Sequence, residues 1–347
     1  YLSCYHHREL LMSFQIGIKS QAHYNARIDE LTMKSLMLIS VLAILSPQAD
    51  AIFKDTASNI LSTLADKISQ TSDNKSLLTC ECGRPKSTTT RIINGVRTSL
   101  EGPFSSFVQV VNTTDQRITC SGFIVTPQHI VTAAHCAKVF GTSAAHLGIV
   151  AGNPYYEYRT GKITKYTQKI DVTQAFMANY TGEGNRADDI AVLVLAKPLQ
   201  FNRMVSRACL PRESEDLGGQ QGRIAGWGGI IDDAVYLEDQ ITEGKVTILS
   251  AEKCNKYWQL IPAENPKQIC VVSQRKTQQR ANEGDSGAPV LWYDESIERY
   301  VAVGIVSYGL EDRTFNYPRV NTKVGEYLSF INSIVESTSS EQTCSKR

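Results

Sequence analysis

Beyond residue 91 the chain is built from short apolar runs that are separated by glycine, proline and asparagine. Such spacing is typical of an all-β barrel or sandwich, because many short strands joined by turns bury one continuous interior. Near the end, Val324, Leu328, Ile331 and Val335 recur at steps of three and four, which predicts one closing helix. The predicted strands include Phe107–Val111, Ile190–Leu195, Lys245–Leu249 and Tyr300–Val306.

The part of the chain before the predicted strands has a different pattern. Between residues 51 and 91, apolar residues at helical spacing predict an amphipathic helix, which we interpret as a pro-segment that assists packing. This set consists of Phe53, Ala57, Ile60, Leu61, Leu64 and Ile68. A Ser/Thr run over residues 87–90 follows and predicts an exposed loop that a protease can reach.

Residues 33–51 have the three parts of a secretory signal peptide. Met33 and Lys34 form a short basic start, an apolar stretch runs over residues 36–45, and Ala49 and Ala51 form a small-residue cleavage site. A signal peptide lies at the start of a protein, so we expect residues 1–32 to be non-native upstream sequence. The remaining pro-region then covers residues 52–91.

The composition of the chain bears on which kinds of molecule it binds. The 347 residues are 42% hydrophobic and 20% charged, with a formal net charge of +1. This balance gives no support for nucleic acid or an anionic membrane as a partner. No apolar run is long enough for a membrane span.

The nine cysteines are an odd number, which is unusual for a secreted protein. Without Cys4 in the upstream segment an even set remains, and export to an oxidising compartment predicts disulfides. A metal site is the weaker interpretation, because the cysteines are scattered and no C-x-x-C pair occurs.

Three short segments carry the candidate chemistry. They are Thr132-Ala133-Ala134-His135-Cys136, Asp188-Asp189-Ile190-Ala191-Val192-Leu193 and Gly284-Asp285-Ser286-Gly287-Ala288-Pro289. A serine hydroxyl needs a nearby base to act as a nucleophile, and that base needs a group to orient it. The order His, Asp, Ser along the chain differs from the order in subtilisin and in the α/β-hydrolases. An esterase of the α/β type is excluded, because it has a different triad order and needs a G-x-S-x-G elbow.

With these motifs the chain resembles the trypsin/chymotrypsin family of serine endopeptidases over roughly residues 80–337. The resemblance implies two six-stranded antiparallel Greek-key barrels with a C-terminal helix, in a protease domain over residues 92–338. It also implies that Ser286 attacks a peptide carbonyl, His135 transfers the proton and Asp189 orients the imidazole. Asp188 is interpreted as a solvated turn residue, and the backbone N–H groups of Gly284 and Ser286 as the oxyanion hole.

The segment Arg91-Ile92-Ile93-Asn94-Gly95-Val96 resembles the activation site of the family. Cleavage after Arg91 by an Arg-specific protease would free the amino group of Ile92, which would pair with Asp285. A buried ammonium–carboxylate pair can order the surrounding loops, because either charge alone would be costly to bury. The resemblance therefore implies a zymogen.

The family also implies a set of disulfides. Cys120 would pair with Cys136, Cys254 with Cys270, and Cys82 with Cys209, which leaves Cys80 with Cys344 unless Cys80 and Cys82 exchange roles. Two bridges of the family are lost at both ends. One would need cysteine at Asn282 and near Asp312, and the other near Gly222 and Trp292.

The predicted substrate pocket contains two arginines at unusual positions. Ser307, Tyr308 and Gly309 match the strand of the family that binds substrate backbone. Arg280 stands at the pocket floor, where a trypsin has Asp, and Arg319 stands where Gly is usual. Because arginine binds carboxylates bidentately, we hypothesise cleavage after acidic residues. The alternatives are that Arg280 points to solvent, or that a glutamate (Glu283 or Glu311) neutralises either guanidinium.

Together these features predict a secreted, extracellular endopeptidase that needs no cofactor and no calcium. Its expected partners are protein or peptide substrates, an Arg-specific activating protease and serpin-type or other protein inhibitors. N-glycosylation sequons begin at Asn74, Asn112 and Asn179. The alternative function is a weak or inactive protease homologue that acts as a binding or regulatory protein.

Overall fold

The computed structural model describes residues 80–85, 98–138, 144–182, 187–212, 215–228, 239–258, 267–273, 284–309 and 317–345, and the structural statements below concern these residues. The expectations for residues 1–32 and 33–51 lie outside them, as does all of the expected pro-region except residues 80–85. The activation segment at Arg91 and Ile92 also lies outside the described residues.

The first half of the described chain forms a closed antiparallel barrel of six strands. The strands are β1 (Phe107–Asn112), β2 (Ile118–Thr126), β3 (His129–Thr132), β4 (Leu147–Ala151), β5 (Gln168–Met177) and β6 (Ala191–Leu195). Their order around the barrel is β1-β2-β3-β6-β5-β4. Two short helices, α1 (Ala134–Lys138) and α2 (Glu157–Thr160), lie in its connections, and a 3-10 turn at Gly102–Phe104 precedes it.

The second half repeats this architecture. Its strands are β7 (Gln221–Gly226), β8 (Thr242–Leu249), β9 (Gln268–Ser273), β10 (Pro289–Asp294), β11 (Arg299–Tyr308) and β12 (Arg319–Lys323). They close in the order β10-β11-β12-β9-β8-β7, with helix α3 (Ala251–Tyr257) between β8 and β9. The predicted fold of two six-stranded antiparallel barrels is confirmed.

Each barrel interior is filled with apolar side chains, as expected for barrels of this size. Phe107, Phe123, Ile130 and Leu193 are fully buried in the first barrel. Trp227, directly after β7, is also fully buried, and its indole N–H donates to the carbonyl of Pro154 at 3.0 Å. Since residue 154 follows β4, this bond joins the two barrels.

The predicted closing helix is present as α4 (Leu328–Thr338), preceded by a 3-10 turn at Val324–Tyr327. The helix buries Ile331, Ile334 and Val335 on one face. Its last residue, Thr338, lies 2.7 Å from Nε2 of His129, and the other ring nitrogen lies 2.6 Å from Oγ1 of Thr126. A buried imidazole therefore connects the end of the helix to β3.

Four disulfides connect the eight described cysteines in the pairs that the sequence implied. They are Cys80–Cys344, Cys82–Cys209, Cys120–Cys136 and Cys254–Cys270. Two of them attach residues 80–85 to the segment between the barrels and to the segment after the last helix, and the other two close loops with a sequence separation of 16 residues each. Within the part of the chain that is described, no helix is both long and apolar enough to cross a bilayer.

Candidate active site

A histidine and a buried aspartate meet at one end of the first barrel. His135 lies in the first turn of α1, directly after β3, and Asp189 lies just before β6. Oδ2 of Asp189 is 2.8 Å from Nδ1 of His135, and its Oδ1 accepts the backbone N–H of His135 at 2.9 Å. The first N–H groups of a helix have no acceptor within the helix. The Asp189 carboxylate accepts one of them and at the same time orients the imidazole.

The aspartate is 1% exposed and is also bonded from the second barrel. The hydroxyl of Ser307, on β11, donates to Oδ2 of Asp189 at 2.5 Å, and the hydroxyl of Thr322, on β12, donates to its backbone carbonyl at 2.8 Å. A carboxylate buried this deeply needs such donors, because an unpaired charge in the interior is costly. These bonds leave the imidazole ring as the accessible end of the pair, with 31% of the His135 side chain exposed.

The candidate nucleophile, Ser286, lies in a tight turn between β9 and β10 that needs two glycines. Gly284 and Gly287 have φ values of 91° and 84°, a region that side chains with a Cβ avoid. A Cβ at residue 287 would also lie 2.2 Å from the carbonyl of Ser121 and 2.2 Å from Oγ1 of Thr132. The turn is therefore pressed against the first barrel.

Ser121, on β2, connects this turn to the first barrel. Its backbone N–H donates to the carbonyl of Ser286 at 2.8 Å, and its hydroxyl donates to the carbonyl of Gly284 at 2.9 Å. Thr132 fixes Ser121 in turn, because its hydroxyl donates to the Ser121 carbonyl at 2.7 Å. The serine turn and the His135 helix thus share one hydrogen-bonded support.

Part of this support was not predicted from the sequence. Ser307 was expected to bind substrate, whereas its hydroxyl donates to Asp189. Thr132 was visible as the first residue of the Thr-Ala-Ala-His-Cys motif, and Ser121 follows Cys120 directly. Thr322 has no motif of its own, and only the pairing of β12 with β11 reveals its position.

The carboxylate of Asp285 lies against the end of β7. Its Oδ1 accepts the backbone N–H of Gly228 at 2.8 Å. Gly226 permits this approach, because a Cβ there would lie 1.9 Å from the same oxygen. The amino group that is expected to pair with Asp285 is that of Ile92, which lies outside the described residues.

The interpretation of Asp188 as a solvated residue is wrong, although it does lie in a turn with a φ of 63°. Its side chain is 18% exposed and accepts the hydroxyl of Tyr327 at 2.7 Å and the ammonium of Lys267 at 2.8 Å. Burial, with the neighbouring carboxylate adding to it, raises the pKa of the Tyr327 phenol far above its usual range, so the phenol remains a donor. The sequence could not show this, because Lys267 and Tyr327 are distant along the chain.

At the predicted substrate pocket, Ser307 and Tyr308 end β11 and Gly309 follows them. The side chain of Arg319, at the start of β12, lies over this glycine. A Cβ at residue 309 would come within 2.7 Å of Nη1 and 3.1 Å of Cζ of that arginine. A guanidinium therefore lies beside the end of β11. Arg280, Glu283 and Glu311 lie outside the described residues.

Other predicted positions fall on the strands. Trp292 and Gly222 are directly opposite each other in the β10–β7 pair, so one of the lost bridges would have joined adjacent strands. Asn282 and Asp312 lie outside the described residues. For the glycosylation sequons, Asn112 ends β1, Asn179 is exposed after β5, and Asn74 lies outside the described residues.

One group with the composition of a metal site lies beside the histidine, formed by Cys120, His135 and Cys136. The two sulfurs are bonded to each other in a disulfide, so they supply no thiolates. The group is therefore explained as the bridge that braces α1.

Comparisons with known proteins give a family model and several relatives to which the chain is similar. A sequence model of the Trypsin family matches residues 92–331, which is more than half of the chain. The chain is 27% identical over 256 residues to Venom serine protease 34 of Apis mellifera, covering 73% of this chain and 60% of that protein. It is 26% identical over 255 residues to the Clotting factor G beta subunit of Tachypleus tridentatus, covering 71% and 80% respectively. A Venom serine protease of Polistes dominula is 26% identical, with coverages of 73% and 87%.

Proposed function

Since the chain belongs to the trypsin family of serine proteases, we propose that it is a secreted serine endopeptidase that is made as a zymogen. Ser286 attacks the carbonyl carbon of the scissile peptide bond, and its proton passes to His135. The imidazolium then donates this proton to the leaving amine. Asp189 keeps the ring in the tautomer that can accept from serine and stabilises its charge.

The observation that carries this proposal is the bond between His135 and Asp189. A carboxylate that is 1% exposed and lies 2.8 Å from Nδ1 directs the other ring nitrogen, Nε2, to serve as the base. The serine is the second half of the arrangement, and its turn is bonded to the same barrel through Ser121. The backbone N–H groups of Gly284 and Ser286 are proposed to bind the developing oxyanion, where one donor contributes about 10²–10³ in rate.

Activation is proposed to follow cleavage after Arg91. The new amino group of Ile92 pairs with Asp285, whose carboxylate already accepts from Gly228 at 2.8 Å. The disulfides Cys82–Cys209 and Cys80–Cys344 hold the released segment on the protease domain, because both bridges begin before the cleavage site. The proposed divisions are residues 33–51 as signal peptide, 52–91 as pro-region and 92–338 as protease domain.

For specificity we propose cleavage after acidic residues. The support is the guanidinium of Arg319, which lies over Gly309 on the strand that is expected to bind substrate backbone. A cation at that position attracts a carboxylate and repels the side chains of Lys and Arg. Protein substrates, an Arg-specific activator and protein inhibitors are the proposed partners, and Asn74, Asn112 and Asn179 are the proposed glycosylation sites.

The test is hydrolysis of a mixed peptide library by the chain after cleavage at Arg91, with the Ser286→Ala variant as control. The proposal predicts cuts after Asp and Glu in the wild type and none in the variant. Equal numbers of cuts after basic or aromatic residues would refute the acidic preference. Cuts that persist in the Ser286→Ala variant would refute the assignment of the nucleophile.

A second candidate function is a binding protein without catalysis. The close contact between Arg319 and Gly309 favours it, because a long side chain at that position reduces the space for a substrate side chain. An Arg319→Gly variant separates the two. A cleaved wild type that is inactive, together with a variant that hydrolyses peptides, would assign the wild type to the binding class.

A further inference from the structure

A second aspartate lies directly beside the one that bonds to His135. Asp188 precedes Asp189 in the chain, and its φ of 63° is one of three positive values among the described residues other than glycine. Asp and Asn adopt this left-handed conformation more readily than other residues, but it is still strained. Strained backbone near a functional site persists only where its surroundings hold it, so the contacts around Asp188 must fix this conformation.

The hydroxyl of Tyr327 holds both the backbone and the side chain of Asp188. It accepts the backbone N–H of Asp188 at 2.9 Å and donates to Oδ1 of the same residue at 2.7 Å. The ring is buried in the 3-10 turn before α4. Because burial raises the pKa of this phenol well above its usual range, the hydroxyl keeps its proton and remains a donor.

The ammonium of Lys267 supplies a positive charge beside this carboxylate. Its Nζ lies 2.8 Å from Oδ1 of Asp188 and 5.9 Å from the centroid of the Tyr327 ring. The backbone of Lys267 is itself held, because its carbonyl accepts the N–H of Lys323, at the end of β12, at 2.9 Å. Asp188, Lys267 and Tyr327 therefore form one connected group, which we call the Asp188 cluster.

The Asp188 cluster holds the peptide unit that leads into Asp189. The carbonyl of Asp188 accepts the N–H of Ile190 at 2.8 Å, and the carbonyl of Asp189 accepts the hydroxyl of Thr322 at 2.8 Å. At its other end, the Asp189 carboxylate lies 2.8 Å from Nδ1 of His135. A displacement of the cluster is therefore transmitted to the imidazole through short, directional bonds.

The charge of Asp188 needs a separate explanation. Both Asp188 and Asp189 are largely buried, so water screens the repulsion between these adjacent carboxylates only weakly. An asparagine would tolerate the same backbone conformation without adding a negative charge. A carboxylate at residue 188 therefore depends on a nearby cation, which Lys267 provides.

We propose that Lys267 and Tyr327 are positioning residues for the proton transfer at His135. Tyr327 fixes the backbone that carries Asp189, and Lys267 balances Asp188, so that the second carboxylate does not displace the first from the imidazole. Both act through Asp189 and neither contacts the substrate. The effect on catalysis rests on the proposed function, whereas the bond between Asp189 and His135 can be measured without any activity.

The kinetic test is the Lys267→Gln change, made alone and together with Asp188→Asn, in the protein cleaved at Arg91. Alone, it leaves a largely buried carboxylate without its cation, and kcat should fall about tenfold. KM should stay within about twofold, because no substrate contact is altered. In the Asp188→Asn background the same change should lower kcat less than about threefold, because no negative charge then needs balancing.

The matched control for this change is Lys169→Gln. The Lys169 side chain is 47% exposed, against 46% for Lys267, and its ammonium lies 2.9 Å from the carboxylate of Glu157, away from the candidate site. Exposed ion pairs contribute little, so this variant should keep kcat within about twofold of the parent. Melting temperatures of all variants show whether they are folded.

A spectroscopic test reports the position of Asp189 directly. A proton on Nδ1 of His135 that is bonded to a carboxylate gives a proton NMR resonance far downfield, and its position depends on the length of the bond. Its loss in His135→Gln identifies it. We expect this resonance to move or broaden in Lys267→Gln and Tyr327→Phe, to recover when Asp188→Asn is added to Lys267→Gln, and to stay in place in Lys169→Gln.

The proposal is overturned if the resonance of Lys267→Gln matches that of the parent, or if adding Asp188→Asn fails to restore it. It is also overturned if an active parent and Lys267→Gln have equal kcat. A cleaved parent that hydrolyses no peptide would contradict the proposed function, and the resonance alone then decides the role of the cluster. Should Tyr327→Phe not fold, Lys267→Gln, whose side chain is half-exposed, decides it.

Discussion

The two barrels share one topology but contribute differently to the candidate site. The first barrel supplies both members of the bonded pair, His135 and Asp189, whereas the second leads to the serine turn. Each contribution is fixed from the opposite barrel, because Ser307 bonds to Asp189 and Ser121 bonds to the serine turn. The site therefore depends on the seam between the barrels as much as on either barrel.

The disulfides show a second difference. Cys120–Cys136 encloses the β2–β3 connection and ends beside His135, so a covalent bond braces the base. The corresponding bond of the second barrel, Cys254–Cys270, supports α3 and not the serine turn. The sequence has Asn282 where the family bridge is expected to attach, so we expect glycine geometry and the bonds to Ser121 to position Ser286. A small displacement of this turn should accordingly lower the rate of hydrolysis.

The largest effect is expected from removing the negative charge of Asp189, in the first barrel. An Asp189→Asn change keeps the shape but favours the wrong tautomer of His135, so kcat should fall by about 10⁴. The measurement is steady-state peptide hydrolysis by the cleaved protein, with melting temperature as the control for folding. A loss of less than tenfold would show that the buried carboxylate does not orient the base.

The second-largest loss of activity is expected from a substitution in the serine turn. A Gly287→Ala change puts a Cβ 2.2 Å from Ser121 and Thr132 and forces the turn to move. A shift of about 1 Å costs roughly 10² in rate, so hydrolysis should fall by that amount or more.

The matched control for this change is Gly161→Ala. That glycine also has a positive φ, 63°, but a Cβ there would meet nothing within 4 Å. Its conformational cost of about 1–2 kcal/mol should appear in stability and not in kcat. Equal activity losses in the two variants would contradict the special position of the serine turn.

Smaller effects are expected from removing either of the two hydroxyl bonds that join the barrels at the site. Ser307→Ala removes a donor to the ionised Asp189, a bond of about 1.5–3 kcal/mol, and should lower kcat about 10- to 100-fold. Ser121→Ala removes a bond between neutral groups and should lower it less than about tenfold.

The measurement is steady-state hydrolysis of one peptide by both cleaved variants, with melting temperature as the control for folding. Equal losses of kcat in the two variants would contradict the larger contribution of the bond to the Asp189 carboxylate.

The smallest effect concerns a histidine away from the site. Burial lowers the pKa of His129, so the unfolded chain binds its proton more readily. Stability should therefore be complete above about pH 6.5 and fall as the pH drops below it. Urea unfolding gives the free energy of unfolding at each pH between about 7.5 and 5.5. The slope of this free energy against pH should be smaller in His129→Gln than in the wild type, but not in His146→Gln, because His146 is exposed. Identical slopes in all three proteins would contradict this assignment.

The sequence was sufficient for the fold and for the residues that stand in motifs. Alternation of short apolar runs predicted the strands, and the four cysteine pairings followed from the family resemblance. His135, Asp189 and Ser286 were visible because each occupies a local pattern that the chemistry requires.

The cross-barrel contacts were not predictable, because no local pattern specifies them. Thr322 reaches Asp189 only because β12 pairs with the end of β11, and 133 residues separate the two. Asp188 looked solvated in the sequence, since its partner Lys267 is 79 residues away.

The most direct test of the account is labelling of the uncleaved and cleaved protein with a fluorophosphonate probe, followed by identification of the labelled peptide. A phosphonylated serine requires a base within reach and a formed oxyanion site, so it reports the assembled centre and not binding alone. We expect fast labelling of Ser286 only after cleavage at Arg91, and almost none in Asp189→Asn. No labelling of a correctly cleaved, folded sample would contradict it.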